Sequence, residues 1–334
     1  MCATINLEKT HFPVLLNELI GIISPLYGGT FIDCTFGQGG YSKKILLNKN
    51  NKIIALDRDK DVLLHANELE KKYKNKFKFT NLKFSQVDKL KLDNENIKGV
   101  IFDLGYSINQ IKDLKKGLSF KSKGKLNMRM GINEFSCHEV ISNMSEVNLK
   151  KIFKFFGEEK YSKLIAKKIT EKRKLKSINT EDLVSIIDDI KKYKKSKINN
   201  STKVFQALRI YVNKEISELL YGLIGAFNLL PVGGIIAVVS FNSLEDKIVK
   251  FFFKNYSETK NSSRYFPENK KNFECFKLDQ RKPIMPSMKE LKINPPSRSA
   301  KLRYVTKISN NCKFDEFLNK FKYLIEIENL RFEK

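Results

Sequence analysis

The sequence has few of the residues from which metal sites and disulfide frameworks are built. Its 334 residues include five cysteines, three histidines and no tryptophan. No CxxC pair occurs, and the histidines are equally scattered. These residues are Cys2, Cys34, Cys137, Cys275, Cys312, His11, His65 and His138. The spacing argues against both a disulfide framework and a zinc site, and it predicts a metal-independent protein of a reducing compartment.

Long apolar runs are also absent. No stretch of about 18 or more uncharged apolar residues occurs, so no membrane-spanning helix is predicted. The first six residues lack the basic and then apolar pattern of a secretory signal. We therefore expect a cytoplasmic protein that does not contact membranes.

Acidic residues are scarce relative to basic ones. The 63 Lys and Arg side chains against 37 Asp and Glu give a formal net charge of +26, which fits a polyanionic partner such as nucleic acid. Only nine of these are arginines, and a lysine-rich composition also arises from an AT-rich genome without selection for binding. The excess is nevertheless concentrated, because residues 150–203 hold 17 basic and 7 acidic side chains. We interpret this stretch as a candidate nucleic-acid-binding face.

Strand and helix patterns alternate over the first hundred residues and return near the end. The predicted strands are 30–35, 52–57, 77–84, 99–103, 235–240 and 300–306. Helices are predicted to begin near Tyr41 and Asp61, and another spans about 204–230. This alternation predicts right-handed βαβ crossovers and a parallel sheet.

The pattern changes after Gln110. Residues 112–205 carry apolar side chains at helical spacing and are rich in lysine. The simplest interpretation is an α/β core interrupted by a helical, basic domain whose charge suits a binding face. The predicted boundaries are 1–111 and 206–310 for the core, 112–205 for the insertion and 311–334 for a C-terminal extension.

Several residues of the insertion receive ordinary structural interpretations. Its predicted apolar helix faces contain Leu149, Ile152, Phe153, Phe156, Tyr161, Leu164 and Ile165. Thr180 is predicted to cap a helix. Glu158 and Glu159 are expected to pair with lysines on a helix face. The lysines at 191, 192, 194 and 195 are interpreted as a solvated run rather than a defined RNA contact.

A glycine-rich turn, Gly37-Gln38-Gly39-Gly40, lies between the first strand and its helix. Such turns let the backbone approach a nucleotide-like ligand, and Asp57 at the end of the second strand is placed to accept a ribose hydroxyl. NAD-binding proteins share both features, and Asp57 has the alternative role of capping the next helix.

Other details favour S-adenosylmethionine over NAD. The loop lacks the full GxGxxG spacing, and Asp33 lies within the strand four residues before Gly37, as in class I methyltransferases. The turn Pro231-Val-Gly-Gly234 before the fifth strand also resembles theirs, although it is equally an ordinary helix stop.

Asp103 ends the fourth strand, where open α/β sheets place ligands. The segment Asp103-Leu-Gly-Tyr106 has the shape of the Asp/Asn-x-x-aromatic motif of enzymes that methylate exocyclic amines. Such an amine is a poor nucleophile because its lone pair is delocalised into the base ring. Acceptors aimed at its N–H groups localise that pair, and an aromatic pocket stacks an extruded base. Asp103 and Tyr106 are therefore candidate catalytic residues.

Eight ordered motifs match one family along nearly the whole chain. They are HFPVLL at 11–16, DLGYS at 103–107 with Gln110, KGLSF at 116–120, LNMRM at 126–130, FGEE at 156–159, VFQALRI at 204–210 with Asn213, SFNSLED at 240–246 and NPPSRSAKLR at 294–303. The chain thus resembles the bacterial ribosomal RNA small subunit methyltransferase H family, also called MraW. The resemblance implies an α/β, class I (Rossmann-like) methyltransferase core with an inserted all-helical domain. It also implies N4-methylation of one cytidine in the decoding region of 16S ribosomal RNA by S-adenosylmethionine.

The resemblance also assigns site residues. The cofactor contacts that it implies are Gly39, Gly40, Tyr41, Asp57, Phe84, Asp103 and Gln110. Gly37 is added to them because it belongs to the glycine-rich turn. Phe84 fits an adenine-facing side chain at the end of the third strand and a core residue equally well. The candidate RNA contacts are Arg129, Arg209, Asn213, Arg298 and Arg303, because lysine cannot replace guanidinium geometry. An ion-pair network with Glu245 and Asp246 is the alternative for these arginines.

Five positions depart from the family pattern. The family generally has histidine at the positions of Tyr41 and Asn242 and aspartate at that of Asn127. It has glycine where this chain has Gln38, and a smaller residue where this chain has Tyr106. Asn242, the third candidate catalytic residue, cannot shuttle a proton, but a methylated amine is acidic enough to lose its proton to water.

Three alternatives to the main hypothesis stay open. The first is an RNA-binding or ribosome-assembly protein with weakened catalysis, and the second is a methyltransferase for another RNA or DNA amine. An NAD-dependent oxidoreductase is disfavoured by the loop spacing. The expected partner is 16S ribosomal RNA or the small ribosomal subunit, and a homodimer is left open.

Overall fold

The computed structural model describes residues 13–90, 92, 96–107, 110–111, 113–122, 124–131, 133–192, 199–257 and 274–332. A few of the sequence interpretations concern other residues and lie outside this part of the chain. They are the secretory-signal assessment of the first six residues, Cys2, His11 and Phe12 of the first motif, and the lysines at 194 and 195.

Seven strands of the described residues form one sheet. They are β1 (Gly29–Asp33), β2 (Asn51–Leu56), β3 (Phe77–Thr80), β4 (Ile97–Asp103), β5 (Ile235–Ser240), β6 (Phe276–Lys277) and β7 (Lys301–Lys307). Their order is β3-β2-β1-β4-β5-β7-β6, with β1 to β5 parallel and β7 antiparallel to both of its neighbours. Strand order reverses between β1 and β4, so their carboxyl ends flank the crevice where such sheets bind ligands.

One strand prediction was wrong in its end, and one strand was missed. The third strand ends at Thr80, and Phe84 begins a short 3-10 helix, Phe84–Lys89, rather than ending the strand. Strand β6 was not predicted, because two residues are too short to show the alternation that marks a strand.

The helices of the described residues are α1 (Leu16–Ile23), α2 (Gly40–Ile45), α3 (Leu63–Tyr73), α4 (Cys137–Asn143), α5 (Glu146–Phe156), α6 (Ser162–Lys172), α7 (Thr180–Ile190), α8 (Thr202–Asn213), α9 (Glu215–Leu229), α10 (Ser243–Asn255), α11 (Met288–Ile293) and α12 (Asp315–Glu328). None of them is both long and apolar enough to cross a membrane. The single helix predicted over 204–230 is two helices, because Lys214 between α8 and α9 adopts a left-handed φ of 51°.

The chain divides into two compact units. The sheet unit comprises Met1–Gly105 and Gly222–Phe314, and the helical unit comprises Tyr106–Tyr221 and Asp315–Lys334. Compared with the predicted boundaries, residues 106–111, 206–221 and 315–334 also fall in the helical unit. This unit is not helical throughout, because its described residues between Gly117 and Ser136 form no helix.

Details of the helical unit correct several interpretations. The side chains predicted to lie on the buried face of α5 are indeed buried, but Leu164 on α6 is 54% exposed. Asn179 rather than Thr180 caps α7, since its side chain accepts from the N–H of Asp182. Lys191 is not part of a solvated run, because it is buried and pairs with Glu159 far away in sequence.

One cysteine pair contradicts the expectation of a chain without disulfides. Cys275, beside β6, is joined to Cys312, 37 residues further along the chain. Sequence spacing could not reveal this pair, since it depends on how the segment after β7 returns to the sheet edge. Cys34 and Cys137 are free and buried.

Candidate active site

The glycine turn between β1 and α2 has the backbone conformation that only glycine adopts readily. Gly37 and Gly39 have φ angles of 52° and 72°. A Cβ atom on Gly39 would lie 2.6 Å from Cε2 of Phe36, so this position is closed by packing. At Gly37 the nearest described atom would be 3.9 Å away, the carbonyl oxygen of Thr35. The turn is therefore open at Gly37, where a ligand can approach the backbone.

Two aspartates at strand ends hold this turn in place. The hydroxyl of Ser42 donates to Oδ2 of Asp33 at 2.7 Å, and the N–H of Thr35 donates to Oδ1 at 3.3 Å. Asp57, just after β2, accepts from the N–H of Gly37 at 2.8 Å and from that of Asp59 at 2.9 Å. Burial raises the pKa of each carboxyl to about 6, against the lowering effect of these hydrogen bonds.

Asp103, at the end of β4, differs from the other two aspartates. Its N–H donates to Oγ1 of Thr35 at 2.7 Å, which fixes the strand end beside β1. The residue is partly exposed, yet its Oδ1 atom is buried and has no hydrogen-bond partner among the described residues. A buried polar atom without a partner is uncommon and marks a place for a missing ligand or water.

The electrostatics of Asp103 point the same way. Burial, and then the charges of Asp33 and Glu245, raise the pKa of Asp103 to about 8. The free protein therefore holds a proton on Asp103 at neutral pH. A cation or an N–H donor placed at Oδ1 would favour the ionised form and draw that proton off. The edge formed by β1, β2 and β4 is thus an acidic, hydrogen-bond-accepting site in a strongly basic chain.

Two predicted cofactor contacts are packed into the sheet unit. The Tyr41 ring is buried and its hydroxyl donates to the carbonyl oxygen of Val14, while burial raises its pKa. The Phe84 ring lies 5.6 Å from that of Phe102, edge to face. A Cβ atom on Gly222 would lie 2.6 Å from Cδ2 of Phe84, so α9 packs closely on this ring. Both side chains have clear structural roles, and their cofactor contacts stay predictions.

Asn242 serves as the N-cap of α10. Its Oδ1 accepts from the N–H groups of Leu244 at 3.0 Å and Glu245 at 2.9 Å. Glu245 completes a capping box, since its Oε2 accepts from the N–H of Asn242 at 3.4 Å, and it also accepts from the N–H of Phe241 at 3.0 Å. The side-chain oxygen of Asn242 thus accepts from two backbone N–H groups of α10. Asparagine is a preferred N-cap residue, which explains why it fits at this position.

Two residues missed as site components act on Asp103. Thr35 accepts its N–H, and Glu245 raises its pKa. The sequence signal that could have identified Thr35 was its hydroxyl, which lies just after the first strand and its aspartate, Asp33. Glu245 was interpreted only as an ion-pair partner.

In the helical unit, Tyr106 and Arg209 lie together. The guanidinium carbon of Arg209 is 4.7 Å from the centroid of the Tyr106 ring, a cation–π arrangement. This guanidinium donates two hydrogen bonds to the carboxylate of Glu215, from Nε to Oε1 at 2.8 Å and from Nη2 to Oε2 at 2.9 Å. Tyr106 remains 45% exposed. The pair forms a supported aromatic surface on which a base can stack.

Asn213 is fully buried and organises the segment that carries Arg129. Its Oδ1 accepts from the N–H of Met130 at 2.7 Å, and its Nδ2 donates to the carbonyl oxygen of Met128 at 2.8 Å. Met128 adopts a left-handed φ of 57°, which a residue with a side chain rarely does unless it is held. Arg129 between them is exposed, with Nε donating to Asn127 Oδ1 at 2.8 Å. Asn213 therefore positions Arg129 and is itself inaccessible to RNA.

The remaining predicted residues have separate environments. Gln110 accepts from the N–H of Ser107 at 2.9 Å, as in a helix cap. Arg303 on β7 pairs with Asp246 at 2.7 Å, the partner that the ion-pair alternative named. Arg298 is exposed. The structure thus brings the glycine turn, Asp57 and Asp103 together at one edge of the sheet, whereas the guanidinium of Arg303 is bound to Asp246.

The part of the chain that the structure describes contains no group of three or more His, Cys, Asp or Glu side chains able to hold a metal ion.

The strand order, the antiparallel β7 between β5 and β6, and the acidic strand ends beside a glycine turn define a class I, Rossmann-like methyltransferase core. The predicted fold class is confirmed. The chain matches the MraW methylase family over residues 8–308. It therefore belongs to this family, as the motifs indicated.

Curated relatives agree with this assignment. The chain is 40% identical over 306 residues to a protein of Rickettsia bellii named ribosomal RNA small subunit methyltransferase H, covering 90% of this chain and all (100%) of the relative. A protein of the same name from Ehrlichia canis is 41% identical over 303 residues, covering 89% of this chain and 100% of the relative. A crystal structure of an rRNA methylase from Streptococcus thermophilus is a distant likeness, with 10% identity, a TM-score of 0.38, and coverage of 87% of this chain and 96% of that one.

Proposed function

We propose that this protein transfers a methyl group from S-adenosylmethionine to the exocyclic N4 amine of a cytidine in the decoding region of 16S ribosomal RNA. Membership of the MraW methylase family and the names of the relatives support a methyltransferase of the small-subunit RNA. The amine and its place in the RNA rest on the motif resemblance. The observation that carries the proposal is the buried, unpartnered Oδ1 of Asp103 at the end of β4.

The residues present fit this cofactor. S-adenosylmethionine supplies an electrophilic methyl group on a positively charged sulfonium. Asp57 has lone pairs beyond those that accept Gly37 and Asp59, so it can also accept ribose hydroxyls. The raised pKa of Asp103, about 8, leaves a carboxyl that gains most from a cation or an N–H donor. Gly37 leaves room for the ligand beside the turn.

The same acceptor suits an exocyclic amine. A carboxylate that accepts an amine N–H localises the nitrogen lone pair and fixes its direction toward the methyl group. Asn242 does not supply a base, since its carbonyl is bound to the α10 backbone. The methylated amine is acidic enough to release its proton to water, so the proposed reaction needs no protein base.

The helical unit offers surfaces for the RNA. The stretch at 150–203, with 17 basic and 7 acidic residues, belongs to this unit and attracts phosphates. Tyr106, braced by Arg209, offers an aromatic face on which an unstacked base can lie. Of the predicted RNA contacts, Arg129 is the exposed one in this unit, whereas Asn213 and most of Arg209 are buried.

The proposal is tested by nucleoside mass spectrometry of ribosomal RNA treated with the purified protein and isotope-labelled cofactor. We expect labelled N4-methylcytidine in 16S RNA, formed ~10²–10³-fold more slowly with Asp103→Asn. A label on another nucleoside would indicate a different amine substrate. RNA binding without cofactor heat in calorimetry would indicate the weakened, non-catalytic alternative. A strain that lacks the gene yet keeps the decoding-region mark would also exclude the assignment.

A further inference from the structure

The sheet unit contains a cleft that shares no residue with the carboxylate site. It lies between α10 and the segment after β6, with one side chain from β7, and has a volume of about 230 Å³. Phe253 and Leu278 supply its apolar floor. Four cationic side chains line it: Lys250, Lys254, Arg281 and Arg303.

Charge is the main property of this cleft. No acidic side chain is among its described lining residues. Lys250 and Lys254 lie one turn apart on α10 and are exposed, as is Arg281 on the opposite wall. These three cations have no nearby carboxylate in the lining, so they attract an anion.

Arg303 gives the cleft a fixed wall. Its Nε donates to Oδ1 of Asp246 at 2.7 Å, and its Nη1 donates to the carbonyl oxygen of Arg281 at 3.1 Å. These bonds tie β7 to the segment that carries Arg281. The guanidinium of Arg303 and the backbone of Arg281 are thus held together at one side of the cleft.

Size decides what kind of anion fits. The cleft volume of about 230 Å³ is below the roughly 300–1,000 Å³ of pockets that enclose whole small-molecule ligands. Phe253 is only 1% exposed, so its ring offers no face for a base. The cleft therefore suits a phosphodiester and its sugar edge more than a complete nucleotide. The Arg281 guanidinium matches phosphate geometry.

We propose that this cleft binds a backbone phosphodiester of the RNA substrate, a contact made by the sheet unit in addition to those proposed for the helical unit. The proposal rests on the proposed function for its choice of RNA. The cleft holds RNA without touching the reacting groups, so it contributes to affinity rather than to methyl transfer.

The test compares two triple variants of the full-length protein. Lys250→Gln, Lys254→Gln and Arg281→Gln remove the three exposed cations of the cleft and leave Arg303 with Asp246. The control set, Lys60→Gln, Lys71→Gln and Lys78→Gln, removes the same charge from exposed positions elsewhere in the sheet unit. Thermal unfolding and S-adenosylmethionine titration establish that both sets fold and retain the cofactor site.

Filter binding of transcribed 16S RNA over a salt series gives the readout. We expect the cleft set to weaken binding roughly tenfold or more and to reduce the slope of log K against log salt by about 2, about 0.7 for each lost contact to a single strand. The control set should change affinity less than about threefold. Equal losses in both sets, or no loss in the cleft set, would overturn the proposal.

Two further outcomes separate the hypotheses. If wild-type protein shows cleft-dependent RNA binding but transfers no methyl group, the proposed function fails and the cleft assignment stands. If millimolar inorganic phosphate protects the wild type but not the cleft set from thermal unfolding while both bind RNA equally, the cleft is a site for free anions and the RNA assignment is overturned.

Discussion

The motif residues of the two units use their polar atoms differently. At the sheet edge, Asp103 keeps a buried oxygen without a partner, and its pKa is raised to about 8. In the helical unit, Asn213 engages both atoms of its amide with backbone groups, and Arg209 is locked by Glu215. The first arrangement leaves an acceptor oxygen available to a ligand, whereas the second uses its polar atoms to stabilise the fold.

Whether a side chain's polar atoms are already hydrogen-bonded within the protein divides the motif residues into two groups, which the motifs alone do not distinguish. Asn242 and Arg303 belong with the scaffold, since one caps α10 and the other pairs with Asp246. Arg129 and Tyr106 are exposed, so they stay candidates for contact with a ligand. Whether a polar atom is already satisfied by the fold is therefore the criterion that sorts candidate contacts.

The largest effect is expected at Asp103. We predict that Asp103→Asn lowers the rate of methyl transfer by ~10²–10³-fold, because the amide keeps an acceptor oxygen but loses the negative charge that favours the sulfonium and the amine nitrogen as it becomes positive. Stability in urea should not fall, since the amide carries no charge into this buried place. Asp88→Asn, at an exposed position of the sheet unit, is the control and should leave both quantities unchanged. Full activity in Asp103→Asn would remove the distinction between the two units.

Asn213 tests the scaffold side of the comparison. Asn213→Ala removes bonds to Met128, Met130, Asn133 and Arg209 inside the helical unit. We expect a loss of about 3 kcal/mol in the free energy of unfolding, because several buried groups lose this partner. Urea denaturation measures the change. Asn319→Ala on the exposed face of α12 should stay within roughly 0.5 kcal/mol of wild type, and an equal loss there would contradict the argument.

The pKa of Asp103 predicts how cofactor binding depends on pH. Because this pKa is raised to about 8, the free protein must release a proton before Asp103 can face a cation as a carboxylate. The affinity for S-adenosylmethionine should therefore rise with pH by up to about tenfold per unit and level off above the pKa. Calorimetry in buffers of different ionisation enthalpy should show proton release below that pH.

The matched control for this pH dependence is Asp103→Asn, whose affinity should lack the rise. A wild-type affinity that is flat with pH, or that falls as pH rises, would show that Asp103 does not ionise when the cofactor binds.

Asn242 is expected to show the smallest effect. Asn242→Ala should cost about 1 kcal/mol of stability through the lost N-cap, and Asn242→Asp should restore most of it. The rate of methyl transfer per folded molecule should change less than about threefold, since no protein base is required. A large rate loss with unchanged thermal stability would instead place Asn242 among the ligand-facing residues.

Much of the fold was readable from local patterns. Alternating apolar segments located most strands, and the glycine turn, Asp57 and Asp103 fell at strand ends as expected. Asp33 was predicted to lie within the first strand, and it is the last residue of that strand. The break at Lys214 and the two-residue β6 were missed, because one left-handed residue or one short pairing leaves no periodic signal.

The site was readable in part. Residue type and position at the ends of β1, β2 and β4 pointed to the carboxylates, since parallel strands bring their carboxyl ends to one edge. The roles of Tyr41 and Asn242 were not readable, because they depend on a carbonyl of the N-terminal segment and on the first turn of α10.

By itself, the sequence determined the class of fold, the family and the place of the acidic edge, because periodicity and motifs are local properties of the chain. Only the tertiary structure decided which polar atoms are satisfied. Thr35 fixes Asp103 across 68 positions, Asn213 holds Met130 across 83, and Cys275 meets Cys312 across 37. Hydrogen bonding and burial act between residues that packing brings together, so the buried Oδ1 of Asp103 without a partner among the described residues is seen only when the strands are assembled.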